Sequence, residues 1–167
     1  KILVNVNEKI SARGENRIKI AFDRFNGVYL SWATPREKRF TADVRFSYSS
    51  DGGEHFSSPV TVNDDNLLAG HSFNEMHVTA DGEVNIVWLD GRHKAKAKSA
   101  GRKLSKNGSS LYRAFANPRG GNTNFNNESL AENTCQCCRI AISENTNNEL
   151  AVFWRQIFDT NTREFAL

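Results

Sequence analysis

Three cysteines lie within four residues, at Cys135, Cys137 and Cys138, and Arg139 follows directly. They are the only cysteines in the chain. Thiols this close support three chemistries. Cys135 and Cys138 have the C-x-x-C spacing of a disulfide, which an oxidising compartment would form, leaving Cys137 free or buried. Two or three thiolates also suit a soft metal, Cu(I) or Zn(II). A histidine could complete that shell, and His71 is the candidate, with Met76 and His77 just after it. The third reading is that the cysteines are small side chains packed in the interior. A single C-x-x-C with no second pair elsewhere leaves all three open.

A second set of chemically capable residues follows the tryptophans. Asp90, Arg92 and His93 come after Trp88, and Arg155 and Gln156 after Trp154. Arg139 heads the third inner strand, and a guanidinium matches a carboxylate with two parallel hydrogen bonds. The competing reading is structural ion pairing, with Asp90 and Asp23 as acceptors. Charge is also uneven. Arg92, Lys94, Lys96, Lys98, Arg102, Lys103 and Lys106 form a run of seven cations with no acid among them, in a chain whose net charge is only +3. The run carries Gly101, Gly108 and several serines, so it reads as a long solvated loop, or as a contact for an anionic partner. No aromatic residues interleave with the cations, which argues against nucleic acid.

These residues need a scaffold, and the scaffold is written as a repeat. A short apolar strand, a polar turn and a second strand ending in tryptophan occur at Ile18–Trp32, Met76–Trp88 and Arg139–Trp154. All three tryptophans of the protein fall at the same place in it, 56 and 66 residues apart. Alternation in Val28–Trp32, Val84–Trp88 and Leu150–Trp154 is that of strands, and no segment holds a helical period over three turns. The expected class is all-β, built of repeated four-stranded units. After the first copy, Ser49, Asp51, Gly53 and Phe56 meet the pattern S-x-D-x-G-x-x-aromatic, a tight hairpin in which Ser and Asp bind backbone N–H groups. Residues 117–125 look like a decayed version that keeps Gly120-Gly121 and Phe125 but lacks the acid.

With the Ser49–Phe56 box, the phrase Ala80-Asp81-Gly82-Glu83-Val84-Asn85-Ile86-Val87-Trp88-Leu89-Asp90-Gly91-Arg92 and the segment Cys135-Gln136-Cys137-Cys138-Arg139, the chain resembles the sialidase-like β-propellers with Asp-box (BNR) repeats. The last segment resembles a bacterial subgroup with Cys-x-Cys-Cys-Arg. The resemblance spans nearly the whole chain and speaks to fold more than to activity. It implies an outer strand of a preceding blade at 1–10, a blade with the Asp box at 17–66, a blade with the basic loop at 72–130 and an incomplete blade at 135–167. Three blades fall short of the roughly four to eight that close a propeller. Val4–Glu8 mirrors Val60–Asp64, and Arg163–Leu167 mirrors Val44–Tyr48, so the chain reads as part of a ring of about six blades completed by more of the protein or by a second chain.

The same resemblance implies a periplasmic or secreted protein that binds or cleaves an anionic glycan at a central channel. Exo-sialidases need an arginine cluster, a tyrosine nucleophile backed by glutamate, and an aspartic acid. On that resemblance Arg139 supplies one arginine, with Arg155, Arg92 and Asp90 as further ligand-binding candidates, but no Tyr–Glu pair is placeable here and the Phe-Arg-Ile-Pro segment is absent. The alternatives are a copper- or zinc-binding or redox propeller using the cysteines, and a structural or interaction module. No stretch reaches the length of about 20 apolar residues that a transmembrane helix needs.

Overall fold

The computed structural model describes residues 4, 7–11, 14, 16–104, 106–159 and 161–167. The fold is all-β, about 45% strand and 5% helix. Eleven antiparallel strands are present among the described residues. The first sheet is a meander of β1 (Lys19–Phe22), β2 (Val28–Pro35), β3 (Ala42–Ser49) and β4 (Val60–Thr61). The second runs β5 (His71–Val78), β6 (Val84–Asp90), β7 (Ser109–Ala116) and β8 (Asn126–Thr134) in the same order. A third meander, β9 (Ala141–Glu144), β10 (Leu150–Ile157) and β11 (Arg163–Ala166), which we term the third sheet, continues the second. Together they form one seven-stranded sheet of order β11-β10-β8-β7-β6-β5, with β9 paired to β10 and the pair Gln156–Thr134 as the junction. The proposed outer strand at 1–10 rests largely on residues 1–3, 5 and 6, which lie outside the described residues. Next to them, Glu8 pairs with Arg45 on β3 at 2.5 Å.

The sequence repeat is a repeat of local chemistry. Each first hairpin opens on a residue whose side-chain oxygen accepts the backbone N–H four residues on: Asp23 from Gly27 (2.7 Å), Thr79 from Glu83 (3.1 Å) and Asn145 from Glu149 (3.0 Å). Three residues on, the chain turns left-handed at Asn26, Gly82 and Asn148, with φ of 66°, 88° and 61°. These are the residue types that tolerate positive φ. Nine residues after the opening residue comes the tryptophan, whose indole N–H donates to the side chain two positions further. Trp32 reaches Thr34 (3.0 Å), Trp88 reaches Asp90 (2.8 Å) and Trp154 reaches Gln156 (2.9 Å). The acceptor is different each time, but the arrangement is the same.

The core lies between the sheets. Alternate residues of β6 face opposite ways. Val84, Ile86 and Trp88 pack with Tyr29, Val44 and Phe46 of the first sheet, while Val87 and Leu89 pack with Ile140, Ile142, Val152 and Trp154 of the third. All of β6 is therefore buried, as expected of the middle layer of three. The turn at Ser49 forms as the pattern requires. Ser49 Oγ accepts the Gly53 N–H (2.8 Å), Asp51 accepts the His55 N–H (3.0 Å), and Gly53, at φ 94°, lies under the Phe56 ring. At the decayed box, Asn117 accepts the Gly120 N–H (2.8 Å) in place of the missing acid, and Phe125 meets Phe46 edge-on at 5.2 Å.

One expectation is corrected. The basic stretch after β6 is not wholly a loop: Arg92–Ser99 form the helix α1. Its alternating Lys and Ala give no apolar stripe, which is why no helical period shows in the sequence. Alanine and lysine are nevertheless good helix formers, and Ala97 is buried beneath the turn. Among the described residues no helix is long and apolar enough to cross a membrane.

Candidate functional site

In an antiparallel meander the connection from second to third strand and the exit from the fourth lie at one end. That end gathers residues 36–41, 62–70, the α1 connection 91–108, and 135–140. The tight first hairpins and the Ser49–Phe56 box lie at the other. All the candidate chemistry except the box therefore shares one end of the sheets.

There the chain forms an open cleft of about 1280 Å³. Lys9, Arg36, Lys38, Arg39, Lys94 and Lys98 line it, and Glu37 is the single carboxylate among its lining residues. Glu37 sits 3.5 Å from Arg36, which also donates to Asp43 (3.0 Å). Partial desolvation pulls the Lys94 ammonium below its usual pKa. Two phenylalanines line the same cleft at positive φ, Phe40 at 63° and Phe73 at 58°. A bulky aromatic residue is an outlier there, and such strain concentrates at binding sites. Phe40 is 82% exposed, with the Arg39 guanidinium over its ring at 4.5 Å. Phe73 sits at an irregularity in the β5–β6 register, and its N–H is held by Asn16 (3.1 Å).

Beneath the cleft lies a buried ionic network. Gly70 and Gly91 cross in close contact, with the Gly91 N–H donating to Gly70 O at 2.8 Å; a Cβ on Gly91 would come within 3.2 Å of the Gly70 backbone. That crossing sets His71 against β3. His71 Nδ1 donates to Ala42 O at 2.7 Å, and Nε2 faces Asp65 (3.2 Å) and Asp90 (3.5 Å). Both ring nitrogens thus meet oxygen acceptors, which favours the doubly protonated ring. Burial opposes that charge, but the bond to Asp65 and the charges of Asp90 and Asp65 outweigh it and raise the His71 pKa. Burial likewise opposes the Asp65 carboxylate, yet His71 and Asn63 hold its pKa at about 2. Arg92 completes the network. Its backbone and Nε donate to Asp90 (2.8 and 3.0 Å), Nη1 donates to Asp64 (2.6 Å), and the guanidinium lies 3.9 Å over Tyr112.

The thiol cluster stands at the start of the third sheet. The three Sγ atoms lie within 4.8 Å of one another, with Cys135 and Cys137 3.8 Å apart. All three are free thiols; Cys135 is buried, Cys138 half-buried and Cys137 exposed. The Cys135 N–H donates to Arg155 O (2.8 Å), and Arg155 Nη1 donates to Cys138 Sγ at 3.8 Å. Burial raises the Cys138 thiol to about 11, helped by neighbouring Cys135. For Cys135 burial acts in the same sense, but bonds from Cys138 and Cys137 outweigh it and lower its pKa. The pair thus divides its acidity, one sulfur ionising well before the other.

The residues nominated from sequence separate into groups. Cys135, Cys137 and Cys138 come together, with Arg155 joining them. His71 does not: its nitrogens are taken by Ala42, Asp65 and Asp90, and it groups with those acids. Met76 packs on the core between the first two sheets, and His77 pairs with Glu144 (3.1 Å). Asp90 and Arg92 are buried in the ionic network rather than on the cleft wall, the structural alternative raised for Arg92. The partner expected of Asp23 is different, since Asp23 binds Arg119 (3.0 Å) and Arg155 goes to sulfur. Arg139 is exposed beside the cysteines. Sequence reading missed the wall formed by Arg36, Lys38, Arg39 and Phe40. The signal was present: Pro35-Arg36-Glu37-Lys38-Arg39-Phe40 follows Trp32 as the basic run follows Trp88. Comparison with protein-family models finds no match, and a search of curated proteins finds none.

Proposed function

We propose that this chain is an anion-binding module of the β-propeller type, acting outside the cytoplasm and taking an acidic glycan in the basic cleft. The observation that carries the reading is the composition of that cleft: six cations against one carboxylate, at the end of the sheets where their connections converge. Arginine supplies paired donors for a carboxylate, and lysine supplies mobile charge. The strained Phe40 and Phe73 give apolar faces on which a sugar ring can rest. Equivalent hairpins and tryptophans in three stacked meanders support a propeller of repeated blades, completed by further blades.

Binding is favoured over hydrolysis. No tyrosine lines the cleft among the described residues, and its single carboxylate is spent on Arg36. Among the described lining residues, neither a tyrosine nucleophile nor an unpaired carboxyl acid of the glycosidase kind stands in the cleft. The test is calorimetric titration with sialylated and uronate-containing oligosaccharides, using neutral oligosaccharides as control. Acidic ligands should bind with an affinity that falls as salt rises. The triple substitution Lys38→Ala, Arg39→Ala, Lys98→Ala should weaken binding at least about tenfold, each lost exposed contact costing about 0.5–1 kcal/mol. Equal affinity for neutral and acidic sugars, or none for either, would discard the reading.

A further inference from the structure

We infer that Cys135, Cys137 and Cys138 form a three-coordinate Cu(I) site whose excess negative charge is balanced by the Arg155 guanidinium. This goes beyond the glycan reading and does not depend on it. The ligand count comes first. The three thiols are grouped within 4.8 Å, and no histidine, aspartate or glutamate joins them among the described residues. His71 and His77 are held by carboxylates elsewhere, and His93 turns its Nδ1 to Ser110 Oγ (3.3 Å). A structural zinc site wants four ligands, whereas Cu(I), a soft ion content with two or three, is selected by thiolates.

The spacing agrees. Three sulfurs around one ion at about 2.3 Å would stand about 4 Å apart. Cys135 and Cys137 are already 3.8 Å apart, so little rearrangement is needed. The loop is fixed at its base. Thr134 Oγ1 donates to Ser109 O (2.9 Å), the Cys135 N–H donates to Arg155 O (2.8 Å), and Gln136 donates to Asn107 O. Exposed Cys137 leaves a path for the ion to enter.

Charge is the third argument. Three thiolates around one monovalent ion carry a net charge of −2. The Arg155 Nη1 donates to Cys138 Sγ, and its Nε is buried with no hydrogen-bond acceptor. Arg155 as a whole is half-buried, but a buried donor left unfilled is costly, and thiolates beside Nη1 would add to the negative charge that Glu164 already supplies. Binding exchanges thiol protons for one Cu(I) ion. No electron moves, so no oxidant or reductant is required.

The test uses the full chain, reduced and kept free of oxygen, titrated with Cu(I) against a chromogenic Cu(I) chelator. One ion per chain should be retained, more firmly as pH rises, and X-ray absorption should show a shell of sulfur alone. Cys137→Ser changes an exposed residue and leaves the fold intact; it should lower Cu(I) affinity at least about tenfold. Arg155→Gln, which acts through the sulfurs, should lower it about tenfold, within the range for groups just outside a metal's ligands. Loss of all copper to the chelator, retention unaffected by Cys137→Ser, or a nitrogen or oxygen neighbour in the absorption spectrum would overturn the site. So would tighter retention of Zn(II) supplied alone.

Discussion

His71 is the single residue on which the cleft end most depends. It is fully buried and reaches Ala42 on β3, Asp65 after β4 and Asp90 at the end of β6, so one ring ties two sheets together. Its folded-state pKa is raised above 6.5, so its contribution is complete below that pH and is lost as pH climbs through the raised value. Asp65 has the opposite sign. Its pKa drops from 3.8 to about 2, so its contribution is complete above pH 3.8 and is lost as pH falls towards 2. The network is therefore strongest between pH 4 and 6.5. His71→Asn should destabilise by about 3 kcal/mol in that window, because it leaves buried carboxylates short of a partner. The deficit against the wild type should shrink at alkaline pH. Denaturant melts of both proteins from pH 4 to 10 check this, and a deficit independent of pH would show that the histidine only packs.

At the scale of elements, the hairpins and α1 carry separate predictions. Gly82 turns at φ 88° with Arg119 side-chain atoms 3.1 Å from where a Cβ would sit, while Asn148, in the equivalent turn, is exposed. Gly82→Ala should therefore cost about 1–2 kcal/mol, and Asn148→Gly should cost nothing or stabilise slightly. Chemical denaturation of the two variants distinguishes a shared turn geometry from a coincidence of sequence. Helix α1 holds Lys94 and Lys98 over the cleft through the burial of Ala97. Ala97→Asp should unravel the helix, weaken acidic-glycan binding about as much as removing Lys98, and lower the melting temperature, because it places a carboxylate at a buried position. The hairpins were readable from sequence because each depends on local chemistry: an oxygen at the opening residue, a glycine or asparagine three on, a tryptophan nine on. The cleft was not. Arg36–Phe40, Gly70 and Lys94 converge only because three connections leave the same end of two sheets, and no local pattern in any of them records the others. His71 was misplaced with the cysteines for the same reason. The sequence nominates it as the histidine to complete a thiolate shell, but the fold turns Nδ1 to the Ala42 carbonyl and Nε2 to Asp65 and Asp90.

At the scale of the whole molecule, β6 is buried on both faces, between the first meander and the third, while β8 at the edge of the second is largely exposed. The first sheet leaves Ile18, Ile20 and Phe22 at 46%, 59% and 65% exposure. The third leaves Phe153 and Phe165 at 42% and 63%, their rings stacked at 4.8 Å. The residues just inside these faces show what such positions are for. In the middle sheet the positions matching Ile20, Phe22 and Phe153 are Met76, Val78 and Val87; the first two pack on the core and Val87 is fully buried in it. An apolar sheet face left open is a docking surface for another sheet, and its strand edges add to the tendency to associate. On the propeller reading proposed above, the expected partner is a further meander presenting an apolar face, as the second sheet does to the first and third. These 167 residues alone should self-associate. Sedimentation velocity over a concentration series should show growing species, and the pair Ile20→Asp, Phe165→Asp should return the chain to monomer without loss of strand signal in circular dichroism. Phe22→Asp should act in the same direction, since it lies on the same face as Ile20 two residues on. A compact monomer at high concentration with the wild-type faces intact would mean that the three stacked sheets are complete as they stand, and that the propeller reading of the repeat is wrong.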